Sequence, residues 1–312
     1  MPPVAAPALT AAKRLARNTP GLRGIDFGYA YRGGVITDQP CIRFHVVRKR
    51  PLAELALSQV LPTQILDQQV DVVEAGYRLH AADPRAQQPV LSPGLSIGNV
   101  NTFETGTAGL LVRSADLDDA IYVLSNWHVL AGGPEAKPGD QISQPGPMHL
   151  GDNPAHPVAT LDRLLAPDEQ LDAALARVLP DTATDPRIFQ IGVAPTAVAD
   201  PQLGAVLEKS GAVSGVTRAV VDGVGGTYQL DYSSFGLGQL WMRGFRLVKD
   251  PAAASTTLSE AGDSGALWID PQTNQAVGLH FAGEDDASPL NDYALAQPIG
   301  EVLHRLNVQL LV

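Results

Sequence analysis

At 312 residues, with 45% hydrophobic and 18% charged side chains, the chain has an ordinary globular composition and length enough for more than one core. Its formal net charge of −11 counts against a general binder of nucleic acid or anionic membrane, which needs concentrated positive charge. No apolar run reaches the about 18 residues of a transmembrane helix. The single cysteine, Cys41, leaves no intrachain disulfide, and the start lacks the basic-then-apolar pattern of a secretory signal. A reduced, cytoplasmic setting is expected.

Residues 1–20 read as a tail with a short helix over 8–18 that stops before Pro20. A small α+β unit follows over 21–80. Residues 25–31 alternate with a period near two, Gly33-Gly34 marks a turn, and 41–47 form a second β-rich run. Pro51 opens a short helix over 52–57, and 70–74 supply a third strand. The basic run Arg48-Lys49-Arg50 reads as a solvated strand end. Residues 81–105, with Pro84, Pro89 and Pro93, read as a linker or extended loop, one that can still be ordered against a neighbour. From 106 onward, short β-type runs such as 109–113, 120–124, 218–221 and 276–281 alternate with Gly, Pro and Asp turns, which predicts a sandwich or barrel. Gly223, Gly225 and Gly226 read as a hairpin turn, not a dinucleotide fingerprint. Apolar residues at 299, 302, 303 and 306 predict a C-terminal helix.

Three local patterns carry chemistry. In Ser125-Asn126-Trp127-His128-Val129 an apolar strand delivers a His at its end, held rigidly yet within reach of a reactant. Imidazole is the side chain best suited to take and return a proton near neutral pH. Alone the pattern is weak, since a lone His at a strand end is more often structural. In Leu171-Asp172-Ala173-Ala174 a carboxylate begins an apolar segment and, if buried, fits the role of orienting an imidazole. The alternatives are a helix cap or a surface Asp, with Asp162 and Asp168 as rivals. In Glu260-Ala261-Gly262-Asp263-Ser264-Gly265 glycines flank an Asp-Ser pair. The chain can turn tightly there, so the N–H groups of Gly262 and Ser264 can converge on one point. An oxyanion hole of that kind is worth roughly 3–4 kcal/mol per donor. The same four residues also make an ordinary β-turn.

In the order His, Asp, Ser, these patterns resemble the trypsin/chymotrypsin-like serine peptidases over roughly residues 106–312. Asp172 follows His128 by 44 residues and Ser264 follows by 92 more, intervals of the size that family shows. A closer resemblance, to the plant narrow-leaf regulator and its bacterial relatives, rests on Thr105-Gly106-Thr107-Ala108-Gly109, on the motifs around His128 and Ser264, and on Lys209-Ser210-Gly211-Ala212-Val213-Ser214-Gly215. Those proteins carry an N-terminal extension before the trypsin-like domain. Residues 21–78 match it in the order of short strands and in Val60-Leu61-Pro62.

The resemblance implies a mainly β fold of two six-stranded barrels, the first about 106–184 and the second about 185–312. His128 and Asp172 would lie in the first and Ser264 in the second. It places the base of the primary specificity pocket at Leu258, where no carboxylate is present to favour Lys or Arg. It places the substrate-pairing strand at Leu279, His280, Phe281, Ala282 and Gly283. Ser259 and His280 resemble residues of glutamyl endopeptidases and suggest an acidic or polar P1 side chain; His280 as a half-buried strand residue is the plainer reading. Glu284-Asp285-Asp286 reads as a solvated loop. The family's activating Ile-Val-Gly-Gly start is absent, so Asp263 lacks the new N-terminus with which it would pair.

The expected function is a serine endopeptidase that forms an acyl-enzyme on Ser264, with His128 as base and Asp172 as its orienter. Its partners are protein or peptide substrates, without cofactor, metal, nucleic acid or membrane; the seven His show no metal-ligand spacing. A homo-oligomer through the N-terminal domain is compatible with the sequence, and that domain is not expected to block the cleft permanently. The rival readings are a non-catalytic regulatory module on a peptidase scaffold and an esterase using the same chemistry.

Overall fold

The computed structural model describes all residues except 1–4, 17–18, 20, 47, 57–58, 76–82, 116–118, 168–169, 254–256, 285–291 and 312. The chain divides into two compact units, Met1–His80 and Ala81–Val312. Among the described residues no helix is long and apolar enough to cross a membrane.

In the first unit, α1 (Ala5–Ala16) precedes β1 (Leu22–Arg32), β2 (Val35–Val46), β3 (Gln64–Ile65) and β4 (Gln68–Glu74). The sheet order is β1-β2-β4-β3, with β2 and β4 parallel and the other pairs antiparallel. Gly33-Gly34 joins β1 to β2, where Arg32 pairs with Val35. Ala8 and Ala12 of α1 are small enough to lie close over Ile42 and Phe44, and these four form the buried core. The helix expected over 52–57 is only a single 3-10 turn, Leu52–Glu54. Leu52 is exposed there, so the turn has no buried face to extend it. Residues 57 and 47 lie outside the described residues.

The second unit begins inside the stretch read as a linker. Leu91, Leu95 and Ile97 are buried, and β5 (Ser96–Asn99) is a strand of the first large sheet. Small and apolar residues between the prolines make this segment a core element; prolines alone do not make a linker. The following elements are β6 (Gly106–Thr107), β7 (Leu110–Ser114), β8 (Ile121–Ser125), α2 (Trp127–Leu130), β9 (Gln141–Ser143), β10 (Pro157–Leu165) and β11 (Ala173–Val178). Then come β12 (Ala197–Val198), β13 (Val206–Gly211), β14 (Gly215–Asp231), β15 (Gln239–Lys249), β16 (Leu267–Ile269), β17 (Gln275–Gly283) and β18 (Tyr293–Pro298). The chain ends with α3 (Ile299–Leu306) and β19 (Val308–Leu310).

The first large sheet runs β19-β7-β8-β11-β10-β9-β5-β6, so the last strand of the chain returns to it. The second runs β12-β17-β16-β13-β14-β15-β18, and β18 also pairs with β17. That extra pairing closes β13 through β18 into a ring. Alternate residues of β7 and β8 face different cores. Leu110, Val112, Tyr122 and Leu124 join a cluster shared with Leu267 and Leu279, whereas Leu111 and Val123 join one inside the first sheet. Burial on both faces explains why these strands read as continuous apolar runs. The predicted C-terminal helix is present, and Ile299, Val302, Leu303 and Leu306 enter the shared cluster.

Gly223, Gly225 and Gly226 are not a hairpin turn. They lie inside the 17-residue β14, where the pairing with β15 shifts register between Val221 and Gly223 and again before Gly226. The turn itself comes at residues 232–238. Phe245 is fully buried in the second core with Leu207, Leu247 and Trp268. Phe245→Ala is expected to cost about 3–5 kcal/mol, read as a lowered urea midpoint with an unchanged denaturant slope.

Candidate active site

β8 and β11 pair with Ser125 opposite Ala174. That register sets the residues just after β8 and just before β11 at one end of the sheet. His128 does not sit on the strand itself but in the one-turn helix α2 that follows β8. Asp172 directly precedes β11 and is fully buried. No helix begins there, so the capping alternative falls away. Asn126 Nδ2 donates to the Asp172 carbonyl at 2.8 Å. The His128 backbone N–H donates to Asp172 Oδ1 at 3.1 Å, and His128 Nδ1 lies 2.5 Å from Oδ2. The Tyr232 hydroxyl donates to the same Oδ2 at 2.8 Å. Burial disfavours the imidazolium of His128, but the Asp172 carboxylate outweighs it and, with Glu104, raises the pKa above 6.5. Of the rivals, Asp162 is partly exposed beside Arg163, and Asp168 lies outside the described residues.

Ser264 reaches this place through close backbone contacts. The Thr107 N–H donates to the Ser264 carbonyl at 2.7 Å, and Thr107 Oγ1 donates to the Gly262 carbonyl at 2.8 Å. A Cβ at Gly106 would stand 2.4 Å from Val129 Cγ2 and 2.6 Å from the Ser264 carbonyl oxygen. The helix that carries His128 and the turn that carries Ser264 therefore meet across a residue that must be glycine. Gly265 has φ +93°, and a Cβ there would lie 2.1 Å from Ser125 Oγ. The Ser264 side chain is not hydrogen-bonded to His128 or to any other described residue. Within the turn, the N–H groups of Asp263, Gly265 and Ala266 have carbonyl acceptors. Those of Gly262 and Ser264 have none among the described residues.

The sequence left Asp263 without a counter-charge; the fold provides one in Lys209 of β13. Both side chains are fully buried, with Lys209 Nζ 2.8 Å from Asp263 Oδ2. Asp263 Oδ1 accepts the N–H groups of Val213 and Ser214 at 3.0 Å each, and Oδ2 accepts Ser214 Oγ at 2.5 Å. Burial pushes the Asp263 carboxyl up, and the Lys209 ammonium and these hydrogen bonds more than reverse it, holding it at about 2. Sequence reasoning quoted Lys209 but gave it no role.

The residues expected to bind substrate are mostly buried. Leu258 belongs to the second core, and Leu279, His280 and Phe281 are also buried. β16 pairs with β17 as far as Leu279, and Gly265 and Ala266 bond to His280. Beyond it, Phe281, Ala282 and Gly283 have only β18 beside them among the described residues. A Cβ on Gly283 would stand 2.7 Å from Ser259 Oγ, so these two face each other. Burial, with Lys209 adding to it, pushes the His280 imidazole down to about 3, and its Nδ1 has no partner among the described residues. It is neutral at physiological pH. Of the acidic run after the strand, Asp285 and Asp286 lie outside the described residues.

No protein-family model matches the chain, and no curated protein matches it. Solved structures do. Thermobifida fusca protease A aligns with a TM-score of 0.51 and 18% identity, over 71% of this chain and all of the other. Nocardiopsis protease gives 0.51 and 15%, with the same coverage. A glutamic acid-specific serine protease that uses a histidine triad in substrate binding gives 0.50 and 19%, over 70% of this chain and all of the other. The fold is the chymotrypsin-like double barrel of serine proteases, and at these identities the likeness speaks to the fold alone.

Lys209→Met leaves the Asp263 carboxylate buried without its counter-charge and is expected to cost about 3–5 kcal/mol in urea unfolding. Asp263 has a folded pKa of about 2 against an ordinary 3.8, so its contribution is present above pH 4 and lost as pH falls through about 2. The stability gap between wild type and Asp263→Asn is therefore expected to narrow across that window.

Proposed function

We propose that the chain is a serine endopeptidase with Ser264 as nucleophile, His128 as general base and Asp172 as the group that orients it. The observation that supports this most is the bond from half-buried His128 to fully buried Asp172, set beside a glycine-flanked serine turn with two unbonded N–H groups. Ser264 Oγ attacks the scissile carbonyl carbon while its proton passes to His128 Nε2. The carbonyl oxygen becomes an oxyanion held by the N–H groups of Gly262 and Ser264. The carbon–nitrogen bond breaks as His128 returns the proton to the leaving amine. Water, deprotonated by the same imidazole, then hydrolyses the acyl-enzyme.

In this reading the peptide pairs along Phe281, Ala282 and Gly283, the part of the expected strand with an open side, as an added strand. Leu258, Ser259 and His280 border the P1 side chain. Leu258 brings no charge and His280 is neutral, which favours a polar P1 group over Lys or Arg. We extend the reading to a bacterial, cytoplasmic relative of the narrow-leaf regulator, with the first unit serving regulation or assembly. The alternative, a non-catalytic binding module, is favoured by one observation: the Ser264 hydroxyl is not bonded to His128. Such bonds often tighten only once substrate is bound.

A fluorophosphonate probe separates the two readings. Covalent labelling of the wild type is expected, with complete loss in Ser264→Ala and a fall of roughly 10⁴-fold or more in His128→Ala. Because the neutral imidazole is the base and its pKa lies above 6.5, the labelling rate is expected to rise with pH to a plateau whose midpoint lies above that value. No labelling at any pH would support the binding module.

A further inference from the structure

The Asp172 carboxylate is held by a side chain that the serine-protease reading does not use. β14 and β15 form a hairpin longer than the ring of strands requires, and its register shifts at residues 221–226 mark where it bends. The tip bonds to itself: the Tyr232 N–H donates to the Gly238 carbonyl at 2.7 Å, and the N–H groups of Phe235 and Leu237 donate to the Tyr232 carbonyl. Tyr232 is thus fixed at its backbone. Its ring is buried with Met242, Phe281 and Leu295, and its hydroxyl ends 2.8 Å from Asp172 Oδ2. Three residues later, the Phe235 ring lies 5.5 Å from the His128 ring and 6.3 Å from that of Trp127. One hairpin tip of the second sheet therefore touches both the buried Asp172 and the His128 ring carried by the first.

We propose that Tyr232 is a positioning residue: its hydroxyl fixes the Asp172 carboxylate against His128, and the β14–β15 tip carries it into place. This rests on the roles given above to His128 and Asp172. Asp172 Oδ2 has two donors, His128 Nδ1 and the phenol, and Oδ1 has the His128 N–H. Burial keeps the phenol protonated and so a donor throughout the working pH range. Phe281 packs beside it and has no donor to offer. By sharing Oδ2, the phenol also draws off part of the charge that would otherwise hold the imidazolium, so His128 returns more readily to the free base. Besides Asp172, Glu104 acts on His128 and favours its charged form, and the nearby His280 is neutral.

The test uses the full chain labelled with ¹⁵N-histidine. The His128 ring nitrogens are titrated in wild type, Tyr232→Phe and Tyr228→Phe. In Tyr232→Phe the titration midpoint is expected to rise, and kcat to fall about 10-fold with KM within about 2-fold. Tyr228→Phe removes the same atom from the same hairpin, over Gly226, and is expected to change neither. Incorporation of 3-fluorotyrosine at position 232 keeps the ring, strengthens the donor and is expected to lower the midpoint. This second substitution covers the case in which Tyr232→Phe does not fold. An unchanged His128 midpoint in the folded Tyr232 variants, or an equal change in Tyr228→Phe, would overturn the proposal. The titration answers whether or not the wild type cleaves peptides, so its failure is distinct from failure of the peptidase reading, which the probe decides.

Discussion

Backbone lies directly on backbone where the two large sheets meet, and the site depends on that contact. A Cβ at Gly109 would stand 2.3 Å from the Gly265 carbonyl oxygen, and one at Gly265 would stand 2.2 Å from the Thr107 carbonyl oxygen. A side chain at either position would force the backbones apart, and the hydrogen bonds that cross here would lengthen with them. With glycine on both sides, the Thr107 N–H reaches the Ser264 carbonyl, and Ser125 Oγ donates to the Thr107 carbonyl at 2.7 Å. The turn with Ser264 is thereby fixed beside the end of β8, from which His128 follows three residues on.

Two buried carboxylates flank this contact, and each is satisfied from a distance in sequence. Asp263 shapes the turn from within: its Oδ1 takes two N–H groups and its Oδ2 takes an ammonium and a hydroxyl. Asp172 acts on the imidazole and is held by groups from both sheets. A buried carboxylate short of donors is costly. The same bonds that make these two tolerable also restrict them to one rotamer each. Stability and pre-organisation come here from one set of interactions.

Much of this was legible in the sequence because the signals were local. The Gly-flanked Asp-Ser pair, the apolar run into His128 and the periodicity of residues 299–306 each depend on neighbours in the chain. The features that escaped depend on partners far away. Lys209 pairs with a residue 54 positions on, and Tyr232 with one 60 positions back, and neither residue carries a mark of its own. Gly223, Gly225 and Gly226 misled because glycine marks a bulge as readily as a turn, and only the pairing partner distinguishes them. Pro84, Pro89 and Pro93 left a linker and an ordered segment both open, because the burial of Leu91 and Leu95 depends on strands that come later. The short helix expected from residue 52 stops after Glu54, where Leu52 finds no surface to bury it.

A crystal structure of the chain with a peptidyl phosphonate bonded to Ser264 Oγ bears most directly on the claim that the glycine contact delivers a working nucleophile. The account predicts a phosphoryl oxygen about 2.7–3.1 Å from the backbone nitrogens of both Gly262 and Ser264, with His128 Nε2 within hydrogen-bonding reach of the adduct. A phosphoryl oxygen turned to solvent, or an imidazole that stays out of reach once the adduct has formed, would contradict it.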